Sequence, residues 1–195
     1  MEVFYVDEDP RLAAQSLGDK HLFEVPTILA VLSTAWFEAN PELVELRDIK
    51  TELSVAMHTT VEQPYLMGTA IYKQVGHSQD VVQWLLESRT NYEWLWRYAV
   101  GLYQERCSRL GPDPQAFTDA LMALSLVPPS LEDAGMTVPP LDPDTDQSEL
   151  STVEAHRLYY RQNKVGVVTW TNVQPAEWLG SLAKRQMRTQ KVAKK

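Results

Sequence analysis

The stretch "SQDVVQWLLESRTNYEWLWRYAVGLYQERCSRLG", residues 78–111, decides the fold. Its apolar residues recur at helical spacing rather than alternating. Ser78 can start the helix. Arg106, Arg109 and Gly111 suit its C-terminus, where cations meet the negative end of the dipole and glycine allows the chain to turn. The period predicts burial of Val81, Leu85, Leu95 and at least one of the tryptophans.

Upstream, the starts of further helices are legible. Asp9-Pro10 sets a capping carboxylate before a proline at the first helical position, and Gly18 can end that short helix. Asp19 can cap the next helix, which carries Leu22, Val25, Leu29 and Leu32 on one side. Pro26 then falls in its second turn and should bend it. Asn40-Pro41 repeats the cap-plus-proline signal before Leu43, Leu46, Ile49 and Leu53. Residues 57–76 read as an irregular connection.

Downstream, Asp113-Pro114 should begin a helix reaching about Leu126. Residues 127–150 are acidic and proline-rich, which predicts a surface wrap or a long loop. Ser151 and Glu154 form a capping box before "AHRLYYRQNK", and a last helix should start near Pro175. "VFYV", Val3–Val6, is the one strand-like run and is too short to make a sheet. The expected fold is all-α: one compact helical domain over 1–183 with a basic tail over 184–195.

Composition narrows the function classes. Hydrophobic residues are 44% and charged residues 23%, as in an ordinary globular chain. No apolar run is long enough to span a bilayer, and the N-terminus lacks a signal-peptide pattern. A cytoplasmic protein without a membrane partner is expected. The one cysteine excludes an internal disulfide. The four histidines show no paired ligand spacing, so neither a metal nor another cofactor is expected. The net charge of -8 conceals a division. Six cations and no acid lie in "KRQMRTQKVAKK", leaving the body strongly acidic. The body is therefore poor for non-specific duplex binding, while the tail can supply that contact or simply be a solvated terminus.

Two readings fit "SLGDKHLFEVP", residues 16–26. His21 and Glu24 are three apart and share a helix face, so the carboxylate can fix the imidazole tautomer for acid–base work. Lys20 beside them can meet a phosphate. Alternatively, Asp19 caps the helix and the rest is its solvated first turn. His77, just before a helix start, is a third catalytic candidate or an ordinary loop histidine. Arg157, Arg161 and Lys164 form a cationic stripe with Tyr160 alongside, either a phosphate track or a solvated face. Arg89 and Arg97 interleave with Tyr92, Trp94 and Trp96, which suits either nucleic-acid stacking or a core.

The order of several short motifs resembles a group of small phage-encoded proteins. Those motifs are Asp19-Lys20-His21; His77 with Trp84; Asn91-Tyr92 with Trp94-Leu95; Ala155, Arg157, Tyr159, Tyr160 and Lys164; and Trp170, Pro175 and Trp178. That group is similar to the pyrimidine-dimer DNA glycosylases and, more loosely, to phage enzymes that hypermodify thymine. The resemblance implies a compact all-α fold, DNA as partner, and a glycosylase-like or thymine-modifying transferase activity on a base drawn from the stack. It adds Asn91 to the DNA-contact set of Lys20, Arg157, Arg161 and Lys164, and it matches His21 and His77 of the chemical set, in which Glu24 stands on its spacing from His21 alone. Two departures stand out. Ile28 occupies the position where the glycosylase pattern has its glutamate, and Gly76-His77-Ser78 replaces N-H-P. The competing expectation is a non-catalytic acidic phage protein that binds or inhibits a host factor.

Overall fold

The computed structural model describes residues 1–40, 79–112, 117–141 and 149–181. The expected helix after Pro41, His77, the start at Asp113-Pro114 and the basic tail lie outside the described residues. Six α-helices are described: α1 Pro10–Ser16, α2 Val25–Ala39, α3 Gln79–Glu87, α4 Arg89–Leu110, α5 Thr118–Ala123 and α6 Thr152–Asn163. No strand occurs among the described residues, so the all-α expectation holds. None of their helices is long and apolar enough to cross a membrane.

The contacts divide the chain into two compact units, each assembled from separate stretches of sequence. The first contains α2, α3, α4 up to Ala99, α5 and the segment to Val138. Most faces of α2 are buried, Ile28, Leu29, Leu32 and Trp36 among them, which marks a core helix rather than a surface one. It packs on α3. Val81, Leu85 and Leu95 are buried as the helical period requires.

The predicted continuous helix over 78–111 is instead broken at Ser88. Ser88 Oγ accepts from Thr90 N at 3.2 Å and from Ala134 N at 3.1 Å. Its carbonyl accepts from Asn91 N, so Ser88 serves as a cap that starts α4.

The proline-rich segment from Leu126 to Val138 has no helix or ladder to satisfy its backbone. Side chains of the helices do so instead. Trp36 Nε1 donates to Leu126 O at 3.0 Å, and Trp84 Nε1 donates to Thr137 O at 3.4 Å. This is the surface wrap rather than a loose loop, at least over its described part.

The second unit contains residues 2–24, the end of α4 and residues 139–181. Asp9 caps α1 as expected, accepting from Arg11 N and Leu12 N. The Ser151–Glu154 capping box is formed. Near Pro175, the described chain makes the short turn Glu177–Leu179, and residues 180–181, the last described, are helical.

The helix expected from Asp19 through Leu32 divides. Asp19–Phe23 is a tight 3-10 turn, and α2 starts afresh at Val25. Proline cannot donate a backbone bond, so Pro26 is tolerated in a first turn and not in a second. Asp19 is also released from capping, because its side chain is used elsewhere.

Candidate functional site

The Asp19–Phe23 turn belongs to the second unit, and its first residue anchors it. Asp19 is buried. Its carboxylate accepts from Thr171 N at 2.9 Å, Thr171 Oγ1 at 2.7 Å and Thr169 Oγ1 at 2.9 Å. The Arg109 guanidinium lies 3.5 Å away and is itself buried. Arg109 also donates to Leu17 O, Gln15 O and Glu105. With the carboxylate and all three guanidinium nitrogens so engaged, this pair is scaffold.

Gly18 is closed in the same manner. Its N–H donates to Tyr160 Oη at 3.0 Å. A Cβ there would stand 2.5 Å from Val168 Cβ, so only glycine lets the two segments approach.

On this rigid turn sits His21, only 4% exposed. Its place at a helix start had suggested a solvated ring; the structure buries it. His21 Nδ1 and Glu24 Oε1 are 3.0 Å apart, and in the tautomer that donates to this carboxylate Nε2 is the acceptor. Nε2 has no hydrogen-bond partner among the described residues. Phe4 meets the imidazole edge-on at 4.7 Å and Tyr160 lies at 5.5 Å. Burial raises the Tyr160 phenol well above its ordinary range, so it stays a neutral wall.

His156 Nε2 also lacks a well-formed hydrogen bond. There, however, the carbonyls of Pro139 and Val3 act on the ring, and Nδ1 accepts from Tyr5 N at 3.3 Å. Burial pulls His156 down to about 4 against those carbonyls. It is a neutral core histidine.

A second charged group lies beside Phe4. Lys164 Nζ is 2.6 Å from Glu2 Oε2, 6.0 Å from the Phe4 ring centre and 5.4 Å from that of Tyr159. Tyr159 Oη donates to Glu2 at 2.6 Å. Burial pushes the Glu2 carboxyl up, but the hydrogen bonds from Lys164 and Tyr159 outweigh it and hold it below the ordinary glutamate value. Burial pulls the Lys164 ammonium down, but the bond and charge of Glu2 leave it raised. Burial and the Glu2 bond both raise Tyr159. Lys164 is therefore a held cation and a poor amine nucleophile, which would need the opposite shift.

The remaining sequence candidates divide. Lys20 is exposed on the His21 turn, and Glu24 is part-exposed. Arg157 Nε donates to Val6 O at 2.7 Å, its Nη2 donates to Asp7 at 3.2 Å, and its guanidinium lies over Trp178. Arg161 donates to Trp178 O at 3.2 Å. The stripe thus ties its own chain together. Asn91 belongs to the first unit and is buried. It donates to Trp84 O and Thr137 Oγ1, both at 2.7 Å, and accepts from Thr137 N. That set fully accounts for it structurally.

Sequence reasoning missed Glu2 and Phe4. Glu2 reaches its partners across more than 150 residues, and no local spacing announces such a contact. Among the described residues, no three His, Cys, Asp or Glu side chains gather as a metal site. Comparison with known proteins finds no matching family model, curated protein or solved structure.

Proposed function

We propose that this chain acts chemically on a base in DNA, with His21 as its proton-transferring group and Glu24 as the residue that orients it. One observation carries the reading. A buried imidazole has one nitrogen fixed by a carboxylate at 3.0 Å and the other left without a partner. A buried polar atom costs free energy unless bonded, so an unbonded one on an anchored turn suits a reacting partner that arrives later. Glu24 holds the tautomer with Nε2 free to accept a proton and return it. The atom is closed from solvent, so the Phe4–Tyr160 enclosure has to open for substrate. Exposed Lys20 on the same turn suits a phosphate of the entering strand. The order of the sequence motifs supplies the substrate class.

An amine-nucleophile lyase is the less favoured form of this chemistry. Lys164 is held as a cation by Glu2, and Ile28, buried and apolar, stands where the glycosylase pattern has its glutamate. Proton transfer to or from a base or an attacking group needs neither.

A second reading is an acidic protein that binds a host factor without catalysis. It is favoured by the internal engagement of Arg157, Arg161 and Lys164, which leaves fewer cations for phosphate.

Nucleoside mass spectrometry of DNA incubated with the chain, or isolated from cells producing it, separates the two. An altered or missing nucleoside is expected with the native chain. His21→Gln should lower its yield roughly a hundredfold to ten-thousandfold, far beyond what its loss of about 1–3 kcal/mol in stability, read from the urea midpoint, accounts for. Unaltered DNA in both settings would overturn the enzymatic reading. Activity that falls only in step with the midpoint would return His21 to scaffold.

A further inference from the structure

A groove of about 410 Å³ runs over the first unit, with Arg89, Glu93, Trp96 and Arg97 on one wall and Leu126 to Pro129 on the other. Its volume falls in the range of small-ligand sites. We infer that this groove binds single-stranded nucleic acid, with an unpaired base stacked on Trp96 and its flanking phosphates held by Arg89 and Arg97.

Three observations carry this. First, Trp96 Nε1 donates to Leu121 O at 2.7 Å, so the indole donor is consumed inside the protein. Only the ring face remains to offer, which suits a flat base and not a peptide carbonyl in search of an N–H. Second, Arg89 and Arg97 are eight residues apart on α4, so their backbones are about 12 Å apart along the axis while their charged ends meet at Glu93, with Trp96 between them in sequence. Third, both guanidinium groups are held by the single carboxylate of Glu93, at 2.9 and 3.4 Å. Their side chains are 54% and 57% exposed. Exposed pairs of this kind contribute little, so phosphate can replace Glu93 at small cost. Glu93 meanwhile holds both cations at the groove wall it shares with them.

Arg89 also feels the nearby Asp133 carboxylate, which Thr90 and Gly135 hold in its charged form. That neighbour keeps the phosphate contacts weak, so discrimination rests on the indole face. None of these residues belongs to the His21 site, and either proposal can fail without the other.

The test uses the full chain and fluorescence anisotropy with two labelled probes of equal length, oligothymidine and an abasic strand. Both carry the same phosphates, so contacts from the basic tail cancel in the ratio. The native chain should prefer oligothymidine by about 5- to 150-fold, the worth of one stacked base. Trp96→Leu should abolish that preference. Should Trp96→Leu fail to fold by circular dichroism, the double variant Arg89→Glu, Arg97→Glu decides. It should weaken oligothymidine binding tenfold or more, while the exposed control Arg11→Glu should not. Equal affinity for the two probes, or a preference that survives Trp96→Leu, overturns the inference. So does an acidic polyglutamate peptide that binds through Arg89 and Arg97 where oligothymidine does not, since the groove would then be a protein-docking site.

Discussion

Asn91 and Asp19 are both buried polar side chains that hold a turn of helix to a segment without secondary structure. In the first unit, Asn91 binds a neutral backbone and a threonine. In the second, Asp19 binds two threonines and faces a buried guanidinium. The neutral arrangement can lose a member at the cost of a few hydrogen bonds. The charged one cannot, because removing either partner strands a charge where water does not reach. His21 sits on the charged scaffold, and its neighbours are correspondingly fixed. Nε2 of His21 has no hydrogen-bond partner among the described residues there.

The sharpest way to break this comparison is Arg109→Met. It should destabilise the chain by about 3–5 kcal/mol, read from the urea midpoint. Adding Asp19→Asn should recover part of the loss, because the stranded carboxylate goes with it. No recovery would mean that packing, not charge, holds the second unit.

Next in size is an acid effect at His156. Its unfolded value is near 6.5 and its folded value is about 4, so the unfolded chain binds more protons between the two. Stability should be full above about pH 6.5 and fall as the pH drops toward 4, by about 3 kcal/mol at most. His156→Asn, whose side-chain oxygen can still accept from Tyr5 N, should flatten this part of the pH–stability curve. An unchanged slope would assign the acid sensitivity to carboxylates such as Glu2, whose lowered value makes its stabilisation fade as pH falls through it.

Asn91→Ala should cost less, about 1–3 kcal/mol, because it leaves the Thr137 amide and two acceptors without their partner. It should also leave any activity on DNA unchanged once stability is allowed for. A selective loss of activity would restore Asn91 to the substrate-contact set. The smallest effect belongs to Arg97→Ala on the exposed face of α4, within about 1 kcal/mol.

Much of the helical frame could be read from the chain itself. The 3.6-residue period placed Val81, Leu85 and Leu95 inside, Asp9-Pro10 started α1, and Ser151 with Glu154 started α6, because all of these depend on neighbours within a turn or two. The breaks were harder. Ser88 looked like one more helical residue until Ala134, 46 positions on, reached its hydroxyl. Pro26 marked a boundary that periodicity alone had carried straight through. For the site, proximity in sequence brought His21, Glu24 and Lys20 together. It did not show that His21 is buried, that Asp19 turns away toward Thr169 and Thr171, or that Arg157 and Lys164 spend their charge on Asp7 and Glu2. His21 is enclosed by Phe4 and Tyr160, and the other outcomes needed contacts over 150 or more residues. Local spacing fixes which side chains share a helix face. Which of them keep a free donor, acceptor or charge is settled only by the distant segment that packs against that face.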